Sequence, residues 1–593
     1  MARHGWGIGL FTGLAVVGSI AFNQTTTNVP LVELPNSPLF VNGSKSKTNL
    51  TLVLSIEEPS LGSAYTSTVA ADPGDFDPRQ KYIGYHDHMV CYANVSAIDI
   101  TIGEYFAFSS KKTSIDAACP SGTSFDGNFL NWATTSTMDI LRYGLTGGHR
   151  VFDEGSGVGR TVLERAYLPD RMYRSSFFPM KRLNATQVAL RTPFSGTGLA
   201  QGLYIRNCRN RVYFAKQDDT FGDCEAPFGV EGANSTKLLR SGSTSGGRFY
   251  PTRVMVCDER TAANRPMLRN AATGQWSGLC QGYQSETGDS FHKPVGQLQV
   301  NAENVRFSVF SYLNDDNPAR YGGVMRAPLK YLGARQHDTR FNLLADPNPH
   351  SEWDPLTGVL KRNPQLGHAD YGDQGYGQSG AINYINGFGS LDPNALGSYK
   401  DHDPLGELYY EAFRYLQGKQ PTALATAGLS GNAVTDRSLT EHFPAYRTWK
   451  DPFEGFSDNQ GKGRSCMRNS VLAIADAFTH SDRHLPGNRL PIHADDVRGV
   501  DTSPVPLDVE KWTHIVGSFE ANLGLDYIDS NGKRQKAQNI PQNDPHRTDL
   551  SSIATAIVPP DGFTSRQPTG SFLMAGLAHF ANTQSFRADL PKA

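Results

Sequence analysis

A chain of 593 residues is too long for one compact domain and predicts roughly three to four domain-sized units, or one domain with large insertions. Its 56 Lys and Arg balance 58 Asp and Glu to a formal charge of -2, which argues against a polybasic nucleic-acid binder. With 59 Gly, 35 Pro and only 19% charged residues, the composition predicts long loops and an extracellular-type surface.

Arg3 and His4 precede an apolar segment from Gly7 to Ala21, and polar Asn23, Gln24 and Thr25 follow it. This is the pattern of a secretory signal peptide over residues 1–21, with Ser19-Ile20-Ala21 as the cleavage triplet, and it predicts export with no stable membrane span after cleavage. Seven cysteines agree with an oxidising compartment. Pairing of neighbours would join Cys91 to Cys119, Cys208 to Cys224 and Cys257 to Cys280, although the sequence leaves other connectivities open. Cys466 is left over and reads as a buried thiol.

Asn49 to Ser55 reads as a strand, and it ends in Ile56-Glu57-Glu58-Pro59-Ser60, oxygen-bearing groups of the kind that ligate a hard cation or simply line a loop. In Tyr85-His86-Asp87-His88 the two histidines have little metal-site specificity and read as surface or packing residues. The apolar positions 129, 130, 133, 138, 141 and 145 predict one helix stopped by Gly147 and Gly148, with Trp132 in the core. Residues 150 to 300 carry four of the cysteines and little periodicity, so they read as a mostly β or irregular insertion, with Thr161 to Leu168 as an ordered element.

Val305 to Leu313 alternates with period two and predicts a strand; Gly323 to Leu332 is its neighbour, and Pro328 favours an edge. The Gly/Asn/Asp-rich connection from 334 to 400 is longer than compact domains tolerate without function. Asp403 and Pro404 start a helix whose stripe is Leu405, Leu408, Tyr409, Ala412, Phe413 and Leu416, with Asp403 as its N-cap. Ser470 to Ala475 is a short apolar run that reads as a buried strand, placing Asp476 at its carboxyl end, where open α/β sheets bind ligands. Further helices are expected near Asp508 to Leu523 and Ser571 to Asn582.

The alternation of strands and helices predicts an α/β, doubly wound sheet. Several blocks carry a family resemblance: Tyr82-Ile-Gly-Tyr85, Gly127-Asn-Phe-Leu-Asn-Trp-Ala133, Phe310-Ser-Tyr-Leu-Asn314, Glu352-Trp-Asp-Pro355, Glu407-Leu-Tyr-Tyr-Glu-Ala412 and Leu485-Pro-Gly-Asn488. In this order they resemble the PilY1/PilC family of type IV pilus tip-associated assembly proteins and adhesins, over nearly all of residues 38 to 593. The resemblance implies a von Willebrand factor A-like sheet with large, loop-rich, β-containing and disulfide-stapled insertions. Its first strand would close residues 22–60, residues 61–126 and 149–300 would be insertions, 127–148 a helix of the A-like domain, and 301–593 the remainder. The family's C-terminal β-propeller has no counterpart here, so the chain resembles the N-terminal half only.

The resemblance also implies a divalent-cation site at the strand ends, formed here by Glu57, Asp403 and Asp476 and holding one Mg²⁺ or Ca²⁺. The pattern is altered: Ser55-Ile-Glu57-Glu58-Pro-Ser60 stands where the family has an Asp-x-Ser-x-Ser loop, and Asp403 where it has Thr. The implied role is non-enzymatic, with type IV pilus subunits, major and minor pilins, as partners, a surface or host receptor, and a place in the periplasm, at the outer membrane or cell surface, or at the pilus tip. Two alternatives remain open: an exported metal-dependent hydrolase using the H-x-D-x-H spacing of His480, Asp482 and His484, and a cation-dependent host-protein-binding adhesin.

Overall fold

The apolar runs separated most widely along the chain meet in one sheet. The computed structural model describes residues 48–66, 75–95, 103–120, 122–157, 159–169, 172, 177–195, 199–215, 247–257, 268–269, 276–277, 280–314, 322–389, 399–400, 403–454, 467–475, 484–488, 506–513, 515–516, 526–528, 534–536 and 573–587. The signal-peptide region, Cys224, Cys466, Asp476, His480 and Asp482 lie outside the described residues.

Strands β1 (Thr48–Leu54), β2 (Val305–Ser311), β3 (Val324–Lys330) and β4 (Arg468–Ile474) form a sheet in the order β3-β2-β1-β4. β1 runs parallel to β2 and β4, with Leu52 opposite both Val309 and Leu472, whereas β3 is antiparallel to β2. The protein is therefore mixed α/β. Pro328, which has no N–H to give a ladder, lies where the β2–β3 register shifts on an end strand, as its chemistry requires.

Helices cover both faces. α1 (Gly127–Thr134), α2 (Thr137–Thr146), α3 (Ala381–Gly387), α4 (Leu405–Leu416) and α5 (Leu573–Thr583) are the principal ones. Leu50, Leu52 and Leu54 pack with Phe307 and Val309 against residues of α2 and α3, including Met138, Ile382 and Ile385. Val53 and Phe310 face the other way, toward Leu408, Phe413, Leu577 and Phe580 of α4 and α5. That second face turns polar toward the strand starts: Arg306 Nε donates to Asn49 Oδ1 at 2.9 Å, Asn49 Nδ2 to Asn469 Oδ1 at 2.8 Å, and Ser308 Oγ to Thr51 Oγ1 at 2.9 Å. The alternation of polar and apolar residues in β2 thus marks two covered faces, since every residue of the strand is buried.

A second body precedes β2. Six strands pair in the order Phe125–Asp126, Val90–Val95, Tyr105–Lys111, Arg253–Val256, Thr161–Glu164 and Arg150–Asp153, and a four-stranded sheet joins Gly247–Pro251, Arg211–Ala215, Leu203–Cys208 and Lys181–Leu183. Strands from both sides of α1 and α2 therefore share one sheet. Its core is aromatic: Phe106, Phe125, Phe129, Trp132, Phe194, Phe214 and Tyr250 are all buried there. Disulfides join Cys91 to Cys119 and Cys257 to Cys280, and Cys208 is also disulfide-bonded. Beside the first of these, buried Asp126 holds Lys112 Nζ and Arg191 Nη1, each at 2.8 Å, and caps α1 by accepting from Asn128 N.

Three expectations are corrected. The single helix over 129–145 is two helices, because Ser136 opens a capping box with Asp139 and starts a new one; Gly147, at φ 83°, ends it as expected. Asp403 does not cap α4: the cap position is Pro404, and Asp403 contributes its main-chain carbonyl to Leu405 N at 2.8 Å. The run containing Ser470 to Ile474 is a strand but is not buried. It ends the described sheet, with Val471 and Ala473 packing toward α4 and α5 while Leu472, on the α2 face, stays 41% exposed.

Leu52 and Leu472 are register partners with opposite burial, Leu52 being fully enclosed. Leu52→Ala should cost about 2–5 kcal/mol in urea unfolding and Leu472→Ala less than about 1 kcal/mol. Equal losses would contradict the half-open edge.

Candidate functional site

The carboxyl ends of β1 and β4 and the start of α4 converge on one edge of the sheet. Pairing continues past β1 through Ser55 N, which donates to Ile474 O at 3.0 Å, and Ser311 Oγ on β2 donates to Leu54 O at 2.7 Å. The chain then turns through a short 3-10 segment, Glu58–Leu61, held by Ser60 Oγ donating to Glu57 O at 2.6 Å. Glu57 is fully buried, accepts from Ser55 Oγ at 3.3 Å through Oε1, and forms a parallel bridge with Lys400. That bridge brings the segment ahead of α4 to the end of β1. Asp403, three residues past Lys400, is also fully buried.

Two members of the predicted cation set, Glu57 and Asp403, are thus buried at this edge, and Asp476 lies outside the described residues. Among the described residues, no group of three or more His, Cys, Asp or Glu is arranged to hold a metal ion. The donor chemistry of Glu57, Asp403 and Asp476 with Ser55 and Ser60 is all oxygen, which suits a hard cation rather than zinc.

His484 comes to the same edge by another route. Its backbone N donates to Glu407 Oε1 at 2.9 Å, and its Nδ1 lies 3.1 Å from the same oxygen, inside the protein. The last residue of the H-x-D-x-H spacing is therefore fixed to the first turn of α4, while His480 and Asp482 lie outside the described residues. Sequence reasoning missed Glu407. It lies off the predicted apolar stripe and was given no site role, yet it is buried, as is Glu411 one turn on. For Glu407 the covering segment, at His484, is 77 residues on, and for Glu411 it is Thr422, 11 residues on, beyond the helix itself.

Glu411 is the most perturbed acid of this helix. Burial pushes its carboxyl up to about 7, against the opposing effect of Thr422, whose Oγ1 donates to Oε1 at 2.5 Å and whose N donates to Oε2 at 3.1 Å. His86, by contrast, is a packing residue as expected, edge-on to Tyr92 and Phe106.

The model described as PilY1 homolog, small alpha/beta domain, matches residues 74–222, and that described as PilY1 homolog, second domain, matches 320–581. A type IV pilus biogenesis factor PilY1 homolog of Xylella fastidiosa is 30% identical over 568 residues, covering 94% of this chain and 41% of the relative. A second protein of that name from the same organism is 25% identical over 453 residues, covering 69% of this chain and 26% of the relative. The chain thus spans less than half the length of either relative. No solved structure matches.

Because the folded state keeps Glu411 protonated above the ordinary value of 4.5, it binds more protons than the unfolded state between there and about 7. Stability should therefore fall as pH rises through that window, by up to about 1.4 kcal/mol per pH unit, and level off above it. Glu411→Gln, which mimics the neutral acid, should flatten this slope in urea unfolding at a series of pH values. A variant profile parallel to that of the parent would rule the assignment out.

Proposed function

From a chain that belongs to the family of PilY1 homologs, we propose an exported, non-enzymatic component of type IV pilus biogenesis that acts at the pilus tip or cell surface in assembly, twitching motility and adhesion. The observation that carries this reading is the 30% identity that runs through 94% of the chain to a protein named as a type IV pilus biogenesis factor. Its partners in this reading are major and minor pilins and a surface or host receptor. Among the described residues no helix is long and apolar enough to cross a membrane.

The central sheet is read as von Willebrand factor A-like. Support comes from three parallel strands with an antiparallel fourth at one end, helices on both faces, and the gathering of Glu57 and Asp403 at the carboxyl edge. In this reading Glu57, Asp403 and Asp476 hold one Mg²⁺ or Ca²⁺, which offsets the mutual repulsion of the carboxylates. Cation-dependent capture of a host protein is the extension of that site. The hydrolase alternative loses ground, because His484 is committed to Glu407 inside the protein.

Deletion of the gene should abolish or strongly reduce surface pili and twitching, and restoration of the full-length gene should recover both. Unchanged piliation, twitching and adhesion in the deletion strain would overturn the assignment. For the cation, metal analysis of purified protein should find about one Mg²⁺ or Ca²⁺ per chain, absent from Asp476→Ala, with EDTA lowering the melting temperature of the parent alone. A metal-free parent protein insensitive to EDTA would make the A-like domain a scaffold.

A further inference from the structure

In the long connections on either side of α4, turns are held by side chains that accept from backbone N–H groups two and three residues on. Asp354 Oδ1 accepts from Leu356 N and Thr357 N, each at 2.9 Å. Asn432 Oδ1 accepts from Val434 N at 2.9 Å and Thr435 N at 3.2 Å. His368 occupies the matching position in its own turn, where its Nδ1 accepts from Asp370 N at 3.2 Å and Tyr371 N at 3.1 Å. The three caps share a geometry but not a chemistry. An amide does not ionise, and the Asp354 carboxyl is held below its ordinary 3.8 because, against burial, the Thr357 and Leu356 N–H groups favour its anion. Only the imidazole changes charge between about pH 5 and 8.

A backbone N–H can only donate, so His368 Nδ1 must present its lone pair and Nε2 must carry the proton of the neutral ring. A second proton has Nδ1 as its one place to go, and two N–H groups already point there. Charging the ring therefore breaks both bonds.

The neighbours act in the same direction. The His350 ring lies 4.7 Å from that of His368, centroid to centroid, and its Nδ1 donates to Pro364 O at 2.9 Å. Lys330 on β3 donates from Nζ to His350 O at 2.9 Å and lies 3.2 Å from Glu352 Oε1. Lys361, whose Nζ donates to Ser351 Oγ at 2.8 Å, adds positive charge near Lys330. Asp370, paired with Lys450 at 2.6 Å, is the carboxylate of the turn itself. Burial, then the charges of His350 and Lys330, push His368 below its ordinary 6.5, with Asp370 opposing them.

This turn holds more than itself. The Tyr371 ring lies 5.7 Å from His368 and meets Tyr446 edge-on at 5.4 Å. Its hydroxyl accepts from Lys450 N at 2.8 Å and donates to Lys450 O at 3.2 Å. The Tyr446 hydroxyl donates to Gly372 O at 3.0 Å, and Tyr446 N donates to Met325 O at 3.2 Å as a single antiparallel bridge on β3. Since β3 ends the described sheet on the side away from β4, residue 446 covers its outer edge at Met325.

We propose that His368 is an acid-sensitive latch: protonation releases the Asp370 and Tyr371 amides, frees Tyr371 from Tyr446 and uncovers the outer edge of β3. The folded chain keeps the ring neutral below its ordinary value, so the unfolded state binds more protons there, and the latch weakens as pH falls from about 6.5. Glu411 has the opposite slope, losing stability as pH rises toward about 7. Global unfolding mixes the two, whereas exchange at individual amides separates them.

The test is hydrogen–deuterium exchange of the purified full chain, read by mass spectrometry at about pH 7.5 and about pH 5 and corrected for the intrinsic pH dependence of exchange. Protection of the Asp370, Tyr371 and Tyr446 amides should fall at the lower pH by up to about thirtyfold, the ratio of charged to neutral imidazole there for a group of ordinary value 6.5. Leu356 and Thr357, capped by Asp354, should keep theirs. His368→Asn, which supplies the acceptor that Asn432 supplies in its own turn, should hold Asp370 and Tyr371 protected at both pH values. Equal protection of these two amides at both pH values in the parent chain overturns the proposal, whether or not the variant folds. So does an equal loss at Leu356 and Thr357, which would mark general acid unfolding, or a loss in His368→Asn as large as in the parent. A loss at Asp370 and Tyr371 that leaves the Tyr446 amide protected overturns the uncovering of β3.

Discussion

Everything in this structure has to accommodate the position of β1. The strand takes its partners from 257 residues away in β2 and 420 residues away in β4. Parallel pairing at such distances must bring the chain back to the same end of the sheet each time, with no local turn to fix the register. Closure entropy rises only slowly with loop length, at about 0.6 kcal/mol per doubling, so the long excursions cost less stability than folding time. What sets the register is the side-chain pattern across the three strands. Leu50, Leu52 and Leu54 find one core, Val53 the other, and the Arg306–Asn49–Asn469 bonds are satisfied only when the three strands align as observed. A slip by one residue would exchange the faces and leave these polar groups buried against apolar helices.

The excursion between β1 and β2 is tolerable because it carries its own core. Its aromatic cluster, two sheets and the Cys91–Cys119 and Cys257–Cys280 disulfides, which close separations of 28 and 23 residues, confine the ordering cost to short loops within that body. The break at Thr135 and Ser136 is where the two bodies meet. Phe129, Trp132 and Ala133 of α1 belong to the aromatic core, while Met138 of α2 belongs to the core beneath the parallel sheet. Cross-links then tie α2 forward to α3 and its exit: Arg142 Nε donates to Ile385 O at 2.9 Å, Nη2 to Phe388 O at 3.0 Å, and Thr146 Oγ1 to Asn386 Oδ1 at 2.5 Å. Asp139 faces the inserted body, accepting from Ala166 N at 2.8 Å. One uninterrupted helix could not have turned its apolar faces to both cores, which is the physical reason the capping box at Ser136 matters.

Strand and helix type were legible wherever a segment's own pattern determined its environment. β1, β2 and β3 could be read from apolar runs, the Pro328 edge from its missing donor, and the stop after α2 from two glycines. The unread parts are those decided by distant partners. An apolar run such as Val471 to Ile474 says strand without saying how much covers it, and here only one face is well covered. The apolar stripe of α4 says nothing of Glu407 and Glu411, which are buried because residues near 422 and 484 close over the other side of the helix. At the candidate edge, the sequence identified carboxylates at strand ends, and the structure adds the Glu57–Lys400 bridge that brings the pre-α4 segment to them. The family blocks were visible because they include the residues that hold the two bodies in place: Asn128 and Asn131 fix the 80–87 loop, and Glu352 accepts from Ala381 N and Ile382 N at 2.8 and 2.7 Å at the start of α3.

The same topology explains why residues distant in sequence gather at one edge of the central sheet. Parallel strands deliver their carboxyl ends, and the loops that follow them, to one edge, so groups from positions near 57, 403 and 484 meet there whatever the length between them. The loop of residues 80–87 is placed differently: Asn128 and Asn131 on a helix of the inserted body hold its backbone. The first place depends on the register of the parallel sheet and the second on the packing of α1. Disturbing the edge carboxylates should leave the Asn128 and Asn131 bonds intact, and altering the 80–87 loop should leave the strand register intact.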